Sequence, residues 1–200
     1  MNVIDLREGT PNYRPIMIQA ALSNRLQQVI KKYVQRVIQH HPLQFGFRAD
    51  HQVMEAAILM RLLRERQEHN QGTLFLMAKD CLKCYDRVPG WVMEYLYIRL
   101  GVPREARTLM AQLLQPGQVQ ILTGLGLVDV GEHALGISQG SILAILHIGV
   151  FFDLLLEKQN KGEGLITPYH QQQRPPIPVG AIKFVDDRVD VGSTETGINQ

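Results

Sequence analysis

"AIKFVDDRVD", residues 181–190, sets two aspartates side by side directly after an apolar run. Like charges in contact each raise the cost of ionising the other, so Asp186 beside Asp187 at the tip of a strand carries an electrostatic penalty. Aspartate is also a common turn former, and the pair alone suits a solvent-exposed bend between two strands. The rest of the chain has to decide between a bend and a site.

The run "TLFLMAK", 73–79, is short and apolar, as a buried strand requires. It leads into "AKDCLKCYDRV", with Asp80 just past the run and Asp86 six positions on. A strand ending in an acid, next to a hairpin turning on two acids, can bring three carboxylates to one edge of a sheet. Carboxylate oxygens are preferred ligands of hard divalent cations, magnesium above all. Two such ions roughly 3.5–4 Å apart would neutralise the repulsion and clamp an in-line phosphoryl displacement. The crowding of acids then has a reason.

The chain has 200 residues, 45% of them hydrophobic, enough to bury a real core in one domain or part of a larger one. Two cysteines make no disulfide framework and point to a reducing, intracellular compartment, nucleus and cytoplasm being indistinguishable. No apolar run reaches the roughly 20 residues of a membrane helix, so no membrane partner is expected. The net charge of +2 is uneven: residues 1–100 carry 14 Lys/Arg against 9 Asp/Glu. Between Glu8 and Asp50 no acid occurs, while Arg14, Arg25, Lys31, Lys32, Arg36 and Arg48 all fall there. Six cations with no acid among them make the footprint of a surface that faces phosphates.

The periodicities give a mixed order of helices and strands. Residues 21–39 set Leu22, Leu26, Val29, Ile30, Tyr33 and Val37 on one face at helical spacing, predicting that this face is buried. Residues 51–69 form a second helix. A third opens at Pro89 and closes at Gly101, and a fourth runs from Pro103 to about Gln115. "QVQILT", 118–123, and "VDVGEHA", 128–134, read as strands joined by a glycine-rich turn. Residues 141–158 make a long apolar helix, and 159–180, rich in Gly, Gln and Pro, a loop. Residues 181–191 read as two strands bending at Asp186 and Asp187.

Five stretches now fall into one order. They are "NYRPI" (12–16), "QFGFR" (44–48), "DCLKCYD" (80–86), "LGISQGSIL" (135–143) and "FVDD" (184–187). Together they resemble the fingers and palm of a reverse transcriptase, most similar to those of non-long-terminal-repeat retrotransposons and group II introns. The resemblance implies an α+β fold, a polymerase palm with an antiparallel sheet and helices on one face. It adds a basic, helical fingers region over 1–72, with the palm over 73–200. It also implies RNA-directed DNA polymerase activity, with an RNA template, a DNA or RNA primer and deoxynucleoside triphosphates as partners. The implied cofactor is magnesium, two ions, with manganese as the alternative.

Carried over by position, Asp80 and Asp186 resemble the metal-binding pair of the family and Asp187 its neighbour, all three as metal ligands and catalytic acids. Asp86 is implied to be structural or to stand behind the metal ligands. Tyr85 stands where the family keeps an aromatic ring under the incoming sugar, a wall against a 2′-hydroxyl. Gln139 and Gly140 stand where the nucleotide and template base are contacted, and Arg14 where a guanidinium pairs triphosphate oxygens. Lys31, Lys32, Arg36 and Arg48 are expected on nucleic-acid phosphates.

The chain departs from the family pattern in places. The serine–proline pair that follows Q-G-S in the family is Ala144–Ile145, and Cys84 replaces the alanine before the aromatic. The sequence runs 13 residues past Asp187, so the primer grip and thumb are expected to be missing, as in a fragment or degenerate copy. Cys81 and Cys84 form a C-x-x-C, but no second cysteine pair or finger-like histidine pair supports a zinc or redox site. The alternatives are a catalytically silent nucleic-acid-binding palm remnant and an RNA-directed RNA polymerase. The second would usually turn on G-D-D, where this chain has Val-Asp-Asp.

Overall fold

In the computed structural model the described residues are 2–3, 16–115, 117–133, 136–159, 165–166 and 178–194. In chain order the elements are β1 (Asn2–Val3), β2 (Ile16–Met17), α1 (Ala21–Val34), α2 (Val53–His69), β3 (Phe75–Lys79), α3 (Cys84–Arg87), α4 (Gly90–Arg99), α5 (Arg104–Leu113), β4 (Gly117–Thr123), β5 (Gly126–His133), α6 (Ala144–Gln159), β6 (Leu165–Ile166), β7 (Pro178–Val179), β8 (Ala181–Phe184) and β9 (Asp187–Gly192). They divide into two compact units, 1–39 with 83–148, and 40–82 with 149–200.

The second unit holds the acidic stretch 181–190. β8 and β9 form a two-residue hairpin closed by Phe184 opposite Asp187, and β9 pairs antiparallel with β3 from Phe75–Gly192 to Lys79–Arg188. The sheet order is therefore β3-β9-β8, with β9 in the middle. Period-2 alternation sorts its side chains onto two faces. Ile182, Phe184, Asp187, Val189 and Val191 share one face with Leu76 and Ala78, while Lys183, Arg188 and Lys79 lie on the other. The first face meets α2: Leu63, Ile182 and Val191 join Leu43, Phe45 and Val179 in one buried cluster, with Leu59, Met60 and Leu74 against it. Burying such side chains contributes about 1.5–3 kcal/mol each and holds the strand ends in place.

On the other face Asp190 is buried between two cations, Lys79 Nζ at 2.6 Å and the Arg188 guanidinium. Lys183 is also buried and sits 3.9 Å over the ring of Phe152 on α6. Burial, with the Arg188 charge adding to it, lowers Lys183 from 10.5 to about 8. His40 lies 2.6 Å from the Asp153 carboxylate in the same unit.

In the first unit α5 packs against both α1 and α4, and the sheet order is β2-β1-β4-β5, with β1 parallel to β4. α4 starts after Pro89 and ends before Gly101, whose φ of +73° suits a glycine helix end. The Gly101 N–H donates to Ile98 O and the Val102 N–H to Tyr97 O, both at 3.0 Å. Tyr97 on α4 and His147 on α6 are fully buried and share a hydrogen bond of 2.7 Å between the phenol oxygen and Nδ1. Desolvation lowers His147 from 6.5 to about 3, so it is neutral, and raises the Tyr97 phenol well above its ordinary range.

Three expectations change. The buried face of α1 is Gln27, Ile30 and Val34, while Leu22, Leu26, Val29, Tyr33 and Val37 are exposed. The two stripes differ by one residue, about 100° around the helix. The cause is Gln27, a polar side chain that is buried because its hydrogen bonds are made inside the protein. The span 159–180 is not loop alone, since Leu165–Ile166 pairs antiparallel with Pro178–Val179. The bend is at Val185–Asp186, and Asp187 is already the first residue of β9.

Candidate active site

β3 ends one residue before Asp80, and the last β3 pair, Lys79–Arg188, adjoins Asp187. Asp80 and Asp187 thus stand at the same end of the sheet, and both line one cavity of about 530 Å³. Its floor is apolar: Val53, Ala56, Ala57 and Met60 of α2 face Ala78, Ile182 and Val189 of the sheet. Asp80 and Asp187 are exposed, so water offsets their repulsion, and Asp186 in the turn is half-buried.

Among the described residues no three His, Cys, Asp or Glu side chains gather into a group that would hold a metal ion. The donor chemistry of the cavity still suits magnesium. That ion is commonly held by one or two carboxylates, with water and substrate phosphate oxygens completing its shell. Lys183 and Arg188 also line the cavity, so its charge is mixed rather than purely acidic.

The other expected residues divide by unit. Tyr85 and Asp86 lie in the short helix α3 of the first unit. The loop with Gln139 and Gly140 follows in the same unit and meets α3 directly: the Ile137 N–H donates to Tyr85 O at 2.7 Å. Gly136 makes this approach feasible, since a Cβ there would sit 2.6 Å from Asp86 Cα and 2.7 Å from Tyr85 O. Its φ of +89° independently favours glycine. Gly140, at φ +104°, gives the loop its second left-handed residue.

Lys31, Lys32 and Arg36 lie in or just after α1, the last two exposed. Arg48 belongs to the second unit, where Nη1 donates to His41 O at 3.1 Å and Gln44 O at 2.9 Å. This guanidinium ties its own loop together. Arg14, and residues 12–15 of "NYRPI", lie outside the described residues. Neither Cys81 nor Cys84 forms a disulfide, and Cys84 is buried.

Sequence reasoning missed two buried glutamines. Gln27 Oε1 accepts from Ser141 Oγ at 2.8 Å and from the Ile142 and Leu143 N–H groups at 3.0 and 3.4 Å. Its Nε2 donates to Gln19 Oε1 and Ser23 Oγ. It holds the glycine-rich loop where that loop enters α6. Gln44 does the corresponding work at the acidic turn. Neither is visible in a hydropathy pattern, because each reads as surface.

No family model matches the chain. Over 183 residues it is 26% identical to the Retrovirus-related Pol polyprotein from type-1 retrotransposable element R2 of Popillia japonica, a match covering 90% of this chain. The chain spans about a quarter of that relative, 25% of its length. Solved structures of similar fold include apo telomerase from Candida tropicalis, with TM-score 0.58, 10% identity, and coverage of 90% of this chain and 32% of that one. The same telomerase with a TWJ fragment of telomeric RNA gives TM-score 0.57 and 12% identity over 89% of this chain and 29% of that one. Telomerase from Candida albicans with such a fragment gives 0.51 and 11%, over 90% and 30%. At these identities the structures speak to fold alone, and the fold is that of a polymerase palm and fingers. Likeness of sequence and likeness of fold point the same way: the chain is similar in sequence to a retrotransposon Pol polyprotein and similar in fold to telomerase.

Proposed function

We propose that the chain is an RNA-directed DNA polymerase domain that adds deoxynucleotides to a primer 3′-hydroxyl on an RNA template. The observation that carries this reading is the pairing of β3 with β9, which sets Asp80 and Asp187 at one cavity beside Asp186. In the reaction the primer oxygen attacks the α-phosphorus, the bond to the bridging oxygen breaks, and pyrophosphate leaves. Asp80 and Asp187, with Asp186 beside them, would supply the carboxylates for magnesium, which when bound lowers the proton affinity of the primer hydroxyl and neutralises charge on the phosphates.

The remaining residues of the chain position and select. By their positions in the family's motifs, the Tyr85 ring would exclude a 2′-hydroxyl, and Gln139 and Gly140 would contact the nucleotide. Lys31, Lys32 and Arg36 attract template and primer phosphates, so binding depends on salt and little on sequence. Arg14 would pair the triphosphate. The carboxylates take no part in covalent chemistry, and rate comes from positioning and electrostatics.

Primer extension on an RNA template with the four deoxynucleotides tests the reading. Asp80→Asn or Asp187→Asn should lower the rate by about 10²–10³, the cost of removing one preorganised electrostatic group. Extension by the variants at the rate of the unmodified chain would refute the assignment of the acids.

A further inference from the structure

The turn that presents the acids is one its own residues do not favour. Val185 has φ +63°, in the left-handed region where a β-branched side chain is a genuine outlier. Two-residue hairpin turns with a positive φ at the first position ordinarily place glycine there. Here the pair is Val-Asp, so the conformation has to be imposed from outside.

What imposes it is one side chain. Gln44 is fully buried, and its Oε1 accepts from the Val185 N–H at 3.0 Å and the Gly46 N–H at 3.1 Å, while its Nε2 donates to Val185 O at 3.4 Å. Both backbone polar groups of the strained residue therefore end on the same carboxamide. The backbone around Gln44 is fixed to β8 in turn. Phe45 N–H donates to Lys183 O at 2.9 Å, and Lys183 N–H to Leu43 O at 3.0 Å, a parallel bridge of Gln44 with Lys183. Gly46 lets the segment close in: a Cβ there would lie 2.4 Å from both Val185 Cγ2 and Val185 N. The nitrogen is backbone and cannot swing aside.

We infer that Gln44 is the positioning residue of the acidic turn, locking Val185 in its left-handed conformation and so setting where Asp186 and Asp187 stand. Its bearing on catalysis rests on the polymerase reading above, whereas the lock itself does not. Gln44 touches no reacting atom.

Backbone hydrogen exchange at position 185 tests the lock, with the β3 amides as reference, in the chain and in its Gln44→Met and Gln44→Met/Val185→Gly variants. Gln44→Met keeps the length of the side chain and removes all three hydrogen bonds. Protection at 185 should fall roughly tenfold or more while β3 stays protected, a tenfold change being about 1.4 kcal/mol. Primer extension should lose turnover by a similar factor, with KM for primer–template within about twofold. Val185→Gly, which adopts the turn without strain, should restore part of that turnover. A side chain that was merely a satisfied core group would not be rescued at position 185. Unchanged protection at 185 in Gln44→Met overturns the inference. If Gln44→Met lowers β3 protection equally, the double variant decides: recovery supports the lock, and its absence overturns it. No extension by the unmodified chain refutes the polymerase reading, and the exchange data then judge the lock alone.

Discussion

Acidification should strike this fold through a fully buried histidine. His147 is buried against Tyr97 and lowered by desolvation from 6.5 to about 3. In the unfolded chain it takes up a proton near pH 6.5, while in the fold it stays neutral until about pH 3. The depressed value therefore contributes stability that is fully present above pH 6.5 and is lost as the pH falls toward 3. The slope is about 1.4 kcal/mol per pH unit for one proton, so bringing the pH from 7 to 4.5 removes roughly 2.7 kcal/mol. That is a large part of the 5–15 kcal/mol typical of a domain. Carboxylates titrate over the same range, so the comparison must be internal. His147→Gln keeps a hydrogen-bonding partner for the Tyr97 hydroxyl and cannot take up a proton. Urea unfolding followed by circular dichroism at pH 7 and 4.5 should show the unmodified chain losing about 2–3 kcal/mol more than the variant. A difference below about 0.5 kcal/mol would mean that the imidazole reaches water, and would refute the argument.

Gly136→Ala meets both a backbone contact and an unfavourable φ, and should cost about 2–4 kcal/mol or unfold the loop. Gly124→Ala meets nothing within 4 Å and should stay within about 0.5 kcal/mol of the parent in the same melt. Tyr85→Ala should raise ribonucleotide incorporation relative to deoxynucleotide while Tyr85→Phe leaves the ratio unchanged; single-nucleotide extension measures it, and an unchanged ratio in Tyr85→Ala would make the ring ordinary packing.

The sheet was legible because its signals are local and redundant. An apolar run, an acid at its end and an apolar run before two acids suffice to propose β3 beside the β8–β9 hairpin. Helix ends marked by Pro89, Gly101 and Pro103 were legible for the same reason, each residue acting on its own backbone. The facing of α1 was not. A count of apolar positions treats Gln27 as surface, and only the hydrogen bonds to Ser141, Ile142 and Leu143, more than a hundred residues away, make it core. The turn at Val185 was displaced by one residue for a related cause. Local preference favours aspartates at the bend, and the three hydrogen bonds of Gln44 override it.

The order of strands in the second unit also sets a schedule for synthesis. β9 is the middle strand, yet it is made last, and Asp187 follows Asp80 by 107 positions. At a synthesis rate of about 5–20 residues per second, β3 waits on the order of 5–20 s for its partner. Over that time the half of the core cluster already made, Leu43, Phe45 and Leu63, has no Ile182 or Val191 to meet. Residues 83–148, which belong to the other unit, emerge meanwhile. The nascent chain thus carries an unpaired apolar strand, the kind of edge that other chains can capture. The two acids that face the cavity come together only when β9 arrives, so the site closes after both other strands of its sheet have been made.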